Sequence, residues 1–247
     1  MIRQHLFDKR APADPMFRWR GGDVSRIEAL TDAVFAFALT LIVVSLEVPK
    51  SFDDLYRVML NFPVFAICFA LLVMVWYYHY KFFRRYGLED FPTILMNIGL
   101  LFVVLFYVYP LKFVFTGLIS PLLGLGTGGM SDIGLRETRL LMVFYSSGVV
   151  LIFGLFVLMH VRAYRLRVEL ELDELEIYLT RTEVGSHLIS TGIGVASIVL
   201  AIVGGRLGPF LAGVVYFAMG PAHGIYSTKR AKRADAMHRE VVGSGAS

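Results

Sequence analysis

The chain alternates between long apolar runs and short charged segments. An α-helix needs about 17 to 25 mostly apolar residues to cross a bilayer. Six windows of this kind predict an all-α fold with six transmembrane helices, at residues 26–48, 58–80, 91–118, 138–161, 184–204 and 208–226. They divide the chain into an N-terminal tail over 1–25, a six-helix domain over 26–226 and a basic C-terminal tail over 227–247.

Small residues in the last two windows indicate how these helices connect and pack. Residues 204–206, Gly-Gly-Arg, leave only a short connection, which predicts a helical hairpin. Glycine lets membrane helices approach closely, because it has no side chain at the interface. We therefore expect close helix contacts at Gly192, Gly194, Gly220 and Gly224.

The composition supports a membrane location. Hydrophobic residues make up 56% of the chain and aromatic residues 14%, and the mean hydropathy of +0.64 is too high for a soluble domain. We expect a polytopic membrane protein with the lipid bilayer as its surroundings. The N-terminal tail is basic and lacks the apolar core of a cleaved signal peptide, so it should stay on the side where it is made.

Lysine and arginine are distributed unevenly between the two sides of the predicted bilayer. One side has six in residues 1–26, three in 81–90, four in 162–181 and five in 227–247. The other side has only Lys50, Arg57, Arg136, Arg139 and Arg206. The positive-inside rule then places both termini of a multi-pass protein in the cytoplasm. The same asymmetry accounts for the net charge of +4 without a nucleic-acid partner.

The sequence contains no motif of a soluble active site. The glycine-rich segment 124–129 lacks the Lys-Ser/Thr of a phosphate-binding loop, and the six histidines show no metal-binding spacing. With Cys68 as the only cysteine, no intrachain disulfide can form. We expect neither enzymatic activity nor a cofactor nor a resident metal. Ion selectivity would have to come from helix side chains, because no carbonyl filter motif of a re-entrant loop and no voltage-sensor repeat occurs.

The first predicted helix carries acidic residues among apolar ones. A charge at the bilayer centre costs at least about 2.5 to 3.5 kcal/mol, so it needs a partner or water. Counted at about 100° per residue, Glu28 and Asp32 lie nearly opposite an apolar stripe. This α1 stripe consists of Leu30, Ala33, Phe37, Leu41 and Val44, with Thr40 at its margin. Arg26, six residues before Asp32, is badly placed to pair with it within the helix.

Candidate partners for Asp32 occur at matching depth on the next two helices. Trp76 and His79 are three residues apart near the end of the second, and Asn97 lies about two turns inside the third. The four side chains could satisfy one another by hydrogen bonds in a low dielectric. They could equally be unrelated interfacial residues, because Trp and His are common at headgroup depth.

The first helix also resembles a known family. The sequence RIEALTD, followed by AVFAFALTLIVVSLEVP, is similar to the signature helix of the transmembrane protein 175 family of endosomal and lysosomal potassium channels and their prokaryotic relatives. That helix carries an Arg-x-x-x-Phe-Ser-Asp motif, which Arg26 and Asp32 match. The chain also has Trp76, His79, Asn97 and Pro110 where the family has a Trp-x-x-His, an Asn and a Pro. Three residues depart from the family pattern. Leu30 replaces the phenylalanine of the motif and Thr31 replaces its serine. Phe37 stands where the family usually has the Ile or Leu that forms its narrowest constriction.

The resemblance implies a homotetramer with a central pore lined by the first helix of each subunit. Phe37, Leu41 and Val44 would then be the apolar layers of the constriction, and Thr40 a hydroxyl layer that helps to select potassium. The residues that would brace this helix from behind are Arg26, Thr31, Asp32, Trp76, His79 and Asn97. Permeating potassium would be the only metal ion.

Together with the resemblance, these observations favour a potassium-selective, voltage-insensitive leak channel, multi-pass in the cell inner membrane of a prokaryote. A proton channel or proton-coupled transporter is the alternative, with Asp32 and His79 as relay groups. A non-conducting membrane scaffold is a third interpretation, because the ring of Phe37 is bulkier than the usual constriction residue.

Overall fold

The computed structural model describes residues 16–44, 48–120, 123–124 and 133–244, with side chains as far as 239. Regular secondary structure in these ranges is entirely helical. The helices are α1 (Arg26–Val44), α2 (Phe52–Leu60), α3 (Phe62–Tyr86), α4 (Phe91–Ile119), α5 (Leu135–Arg165), α6 (Glu174–Val203), α7 (Gly208–Val214) and α8 (Met219–Ser244), with a 3-10 helix at Val215–Ala218. Most of the glycine-rich segment 124–129 lies outside the described residues.

Five helices in the described ranges are long and apolar enough to cross a membrane, namely α1, α3, α4, α5 and α6. They correspond to the first five predicted windows, so the chain is polytopic. Two boundaries differ from prediction. The window 58–80 starts too early, because Asn61 ends α2 and Pro63 allows a new helix to begin at Phe62. The fifth helix begins well before 184, because Asp173 and Glu176 form a capping box at its N-terminus.

The sixth window, 208–226, is divided between α7, the 3-10 helix and the start of α8. Right-handed helical angles are kept at both junctions, at Val215 (φ −59°, ψ −25°) and at Met219 (φ −57°, ψ −49°). The backbone therefore follows one helical path from Gly208 into the basic C-terminal residues. The connection from α6 is tight, since a Cβ on Gly204 would come within 2.6 Å of the Cα of Gly208.

The close helix contacts lie mostly at glycines other than the predicted ones. A Cβ on Gly148 or Gly185 would come within 2.0 Å of a tyrosine side chain on another helix, and one on Gly194 within 2.8 Å of a valine. The expectation is wrong for Gly192, Gly220 and Gly224, where such a Cβ would meet no atom of another helix within 4 Å in the described part of the chain. A glycine serves as a contact only where tertiary packing brings a neighbour to its face.

The main hydrophobic core lies between α1, α3, α4 and α5. Residues 16–25, part of the predicted tail, pack against it through Phe17, whose ring meets Tyr86 edge-on at 5.4 Å. Arg20 then joins this segment to the start of α6. Its guanidinium donates to both carboxylate oxygens of Glu176, at 3.0 and 2.5 Å, and to the carbonyl oxygen of Leu170 at 2.6 Å. The entry of the chain into α1 is thereby held against the rest of the bundle.

Candidate functional site

Helix α1 uses one face for packing and leaves the other uncovered. Its buried residues are Glu28, Thr31, Phe35, Ala38 and Ile42. The α1 stripe lies on roughly the opposite side of the helix. Phe37 is 55% exposed and Val44 70% exposed, whereas Leu41 is half-buried and packs against the core. No other part of the described chain covers most of this apolar stripe.

Thr40 lies beside the stripe with an exposed side chain. Its hydroxyl donates a hydrogen bond to the carbonyl oxygen of Ala36, one turn earlier, at 2.8 Å. Because the hydroxyl proton is used in this bond, the lone pairs of the oxygen remain available to coordinate a cation or to accept a hydrogen bond. The geometry therefore suits Thr40 as an oxygen ligand.

Glu28 takes part in the start of α1. Its carboxylate accepts a hydrogen bond from the backbone N–H of Ser25 at 2.9 Å, and the Ser25 hydroxyl accepts one from the N–H of Glu28 at 3.2 Å. This reciprocal pair is a capping box, which satisfies two backbone donors at a helix N-terminus. The guanidinium of Arg84 on α3 adds an ion pair at 3.8 Å. The Ser-x-x-Glu spacing was the available signal for this role, and sequence analysis missed it.

Three of the predicted bracing residues form a buried chain of hydrogen bonds across α1, α3 and α4. The amide nitrogen of Asn97 donates to the hydroxyl of Thr31 at 3.0 Å, and this hydroxyl donates to the carbonyl oxygen of Ile27 at 2.8 Å. The amide oxygen of Asn97 lies 2.9 Å from Nε2 of His79. Since this oxygen can only accept, Nε2 carries the proton. Thr31, Asn97 and His79 are at most 1% exposed.

Asp32 has a different partner. Its carboxylate accepts a hydrogen bond from the indole N–H of Trp76 at 2.8 Å, near the surface of the bundle. The indole stacks on Tyr80, with ring centroids 5.7 Å apart. Among the described residues, no hydrogen bond joins Asp32 to His79 or to Asn97. The predicted four-residue cluster is thus two separate units, a Trp76–Asp32 pair and a Thr31–Asn97–His79 chain.

Arg26 is the one predicted bracing residue that the structure does not bring to the others. Its side chain is exposed in the first turn of α1. Within the described ranges it makes no hydrogen bond or ion pair, whereas Arg84 provides the cation next to Glu28.

The fold and this site define a polytopic helical membrane protein whose first helix is held by buried polar contacts on one face and is uncovered on the other. A family model described as "Endosomal/lysosomal potassium channel TMEM175" matches residues 26–107. A protein of Marivirga tractuosa named as a potassium channel is 37% identical over 242 residues, which are 92% of this chain and 97% of that protein. The chain belongs to the TMEM175 family, and the resemblance seen in the first helix is confirmed.

Two further comparisons agree. A crystal structure of a variant of the potassium channel MtTMEM175, bound to a nanobody–MBP fusion protein, matches with a TM-score of 0.79 at 36% identity. The match covers 90% of this chain and all of that one. A potassium channel of Chamaesiphon minutus is 29% identical over 107 residues, which are 40% of this chain and 53% of that protein. All of these named relatives are ion channels rather than enzymes.

Proposed function

We propose that the protein is a potassium-selective, voltage-insensitive leak channel. It would be a homotetramer in the inner membrane, with α1 of each subunit lining a central pore. The observation that carries this proposal is the position of the α1 stripe, which faces away from the buried polar contacts and is mostly uncovered in the single chain. The naming of the relatives as potassium channels supports the choice of ion.

A single α1 cannot enclose a passage, so the proposal requires a closed ring of subunits. In a ring, four copies of Phe37, Leu41 and Val44 would form apolar layers around the axis. Such a constriction resists ion passage by excluding water when it is narrow. Phe37 would form the narrowest layer, since its ring is large and more than half exposed on α1.

Thr40 would supply the selectivity layer. A ring of four hydroxyl oxygens can replace part of the hydration shell of a potassium ion. The bond from Thr40 to the carbonyl of Ala36 supports this role, because it directs the proton away from the ion. Selectivity from a single hydroxyl ring should be modest, since few oxygens contact the ion.

The placement of both termini in the cytoplasm requires a sixth crossing of the membrane, by residues 208–226. The continuous helical path through 208–226 would return the chain to the cytoplasm, so that both termini lie on the basic side. Residues 227–244 of α8 would then extend from the bilayer. Their Lys and Arg side chains would face the anionic cytoplasmic surface of the membrane.

The arrangement of the acidic and imidazole groups favours bracing over a proton relay. A relay through Asp32 and His79 needs a path between the two groups. In the described structure they have different partners, Trp76 for Asp32 and Asn97 for His79. Both units instead fix the orientation of α1 against α3 and α4.

The test is ion flux from liposomes that contain the purified chain, with potassium, sodium and proton gradients applied separately. We expect potassium flux above sodium flux and no dependence on membrane voltage. Phe37→Ala should increase potassium flux, because it removes the largest group from the apolar layers. Phe102→Ala is the matched control, since Phe102 is 72% exposed on α4, outside the proposed pore.

Three outcomes would contradict the proposal. Proton flux without potassium flux would favour the relay. The absence of flux in wild type and in Phe37→Ala would indicate a scaffold. An equal increase in flux from Phe37→Ala and Phe102→Ala would show that Phe37 has no special position.

A further inference from the structure

A second group of polar side chains lies between α3, α5 and α6, apart from the α1 contacts. His160 on α5 and Glu183 and His187 on α6 each offer one ligand atom, and these atoms lie within 4.8 Å of one another. Two imidazoles and a carboxylate are a donor set that binds Zn²⁺ in proteins, with a water molecule as the fourth ligand. The proposed channel mechanism gives no role to this cluster.

His160 is oriented as metal-binding histidines usually are. Its Nδ1 lies 2.8 Å from the carbonyl oxygen of Phe156 and donates a hydrogen bond to it. This bond fixes the tautomer and leaves the lone pair of Nε2 free. Metal-ligating histidines commonly donate their other ring N–H to a carbonyl or carboxylate in this way. His160 is only 4% exposed, so its ring has little freedom to turn away.

His187 is buried by aromatic rings rather than by polar partners. Its ring stacks on Phe156 at 5.1 Å and meets Tyr78 edge-on at 5.2 Å, and the residue is 2% exposed. Within the described ranges, no hydrogen bond reaches either of its ring nitrogens. The ring nitrogens are therefore not engaged by another described side chain, and one of them lies within 4.8 Å of the ligand atoms of His160 and Glu183.

Glu183 keeps one carboxylate oxygen available. Its Oε1 accepts hydrogen bonds from Nζ of Lys81 at 2.6 Å and from Nη1 of Arg85 at 3.0 Å. Among the described residues, no hydrogen bond ends on Oε2. The side chains of Glu183 and Lys81 are 17% and 33% exposed, which gives the cluster access to water.

We propose that His160, Glu183 and His187 form a binding site for a divalent transition-metal ion with the ligand preferences of Zn²⁺. In the metal-free chain, the ammonium of Lys81 and the guanidinium of Arg85 both pair with Glu183. A metal ion would share this carboxylate with Lys81, and the positive charge of Lys81 would lower the affinity of the site for the metal ion. Binding would join α5 to α6 directly and draw Glu183 from α3, the helix that carries Trp76 and His79. The site does not depend on the proposed channel activity.

The test is calorimetric titration of the full-length chain in detergent with ZnCl₂. The background carries His5→Asn and His238→Asn, so that two histidines outside the cluster cannot bind zinc. We expect one site per chain. His160→Asn and His187→Asn should each weaken binding by about 100-fold or more, since the loss of supporting groups alone costs about 10- to 100-fold.

Lys81→Met provides the sharpest distinction from a purely structural ion pair. It removes a positive charge near the metal while Arg85 still neutralises Glu183, so zinc should bind about tenfold more tightly. The control is His223→Asn, because His223 on α8 is a half-buried histidine that bonds to Ser186 and Ser190, on either side of His187, without being one of the three proposed ligands. It should leave zinc affinity unchanged.

Cobalt provides a readout that does not depend on affinity. Co²⁺ in a tetrahedral site with two imidazole ligands absorbs strongly in the visible range. This absorption should appear in the background chain and in His223→Asn, and it should be absent in His187→Asn. The proposal is overturned if no such absorption develops in the background chain. It is also overturned if both imidazole variants bind zinc as the background does, or if Lys81→Met weakens binding.

Discussion

Among the residues that hold α1, Asn97 forms buried hydrogen bonds to two other side chains at once. It is fully buried, and its amide satisfies both the hydroxyl of Thr31 and the ring N–H of His79. Asn97→Leu keeps the size of the side chain but leaves these two groups without their partner. We expect a loss of about 1 to 3 kcal/mol in the free energy of unfolding, measured by denaturation in detergent.

Asp32→Asn provides the comparison for this prediction. The amide oxygen of asparagine can still accept the hydrogen bond of Trp76, and the pair lies near the surface. The loss should therefore be smaller, at most about 1 kcal/mol. A larger loss for Asp32→Asn than for Asn97→Leu would show that the carboxylate, and not the buried chain, holds α1.

Thr40 can be tested by two substitutions of similar size. Thr40→Val removes the hydroxyl, whereas Thr40→Ser retains it. If a hydroxyl layer contributes to selectivity, the ratio of potassium to sodium flux in liposomes should fall in Thr40→Val and persist in Thr40→Ser. Equal ratios in the two variants would exclude the hydroxyl as a ligand, provided that both conduct.

At the scale of the elements, an ion pair joins the start of α4 to the end of α5. The carboxylate of Asp90, the N-cap residue of α4, accepts two hydrogen bonds from Arg162, at 2.9 and 2.7 Å, and one from the hydroxyl of Thr93. Partial burial raises the pKa of Asp90, but these hydrogen bonds and the guanidinium charge outweigh it. The pKa therefore lies below the ordinary value of the carboxyl group.

This lowered pKa predicts how the stability should depend on pH. Since the folded-state pKa is below that of the unfolded chain, the contribution of Asp90 is complete above about pH 3.9 and is lost as pH falls through the folded-state pKa. Asp90→Asn should cost about 0.2 to 1 kcal/mol at pH 7, the range for partly exposed pairs. Thermal unfolding should show the difference from wild type shrinking as the solution becomes more acidic.

Asp23→Asn is the matched control for this prediction, because Asp23 is exposed and has no ion pair in the described ranges. Asp23→Asn should unfold at the same temperature as the wild type at each pH. If the difference between Asp90→Asn and wild type were the same at pH 7 and pH 3, the ion pair with Arg162 would make no contribution.

At the scale of the whole molecule, the proposed ring predicts a mass of four copies of the 27.7 kDa chain in detergent. Light scattering after size-exclusion chromatography measures this directly. The physical reason is that the uncovered face of α1 forms a closed passage only when several copies surround one axis. A monomer or dimer as the sole species would contradict both the ring and the role of the α1 stripe.

Cysteine cross-linking tests the same ring in a membrane. In a background with Cys68→Ala, Val44→Cys should form disulfides between subunits, because a pore-lining position meets its own copies near the axis. Val199→Cys is the control, since Val199 is 51% exposed on α6. Cross-linking at both positions to the same extent would indicate random contact rather than a ring.

The sequence by itself determined which segments form the long helices and which face of α1 is apolar. Residue hydropathy acts locally and sums along a window, so five spans could be predicted from the order of residues and the membrane class from their composition. The 3.6-residue period likewise placed the α1 stripe opposite Glu28 and Asp32. Glu28 is buried, whereas Asp32 is exposed and accepts a hydrogen bond from Trp76. The motif in residues 26–32 identified the family because its residues lie close together in the chain, so no tertiary information was needed to recognise it.

Only the tertiary structure decided which side chains meet. Asp32 pairs with Trp76 rather than with His79, and Gly148 rather than Gly192 provides a close helix contact. His160 and Glu183 meet although no sequence spacing links them. The physical reason is that such contacts depend on the rotation and depth of one helix relative to another. Packing of the whole bundle sets these quantities, and a periodicity read along one helix does not contain them.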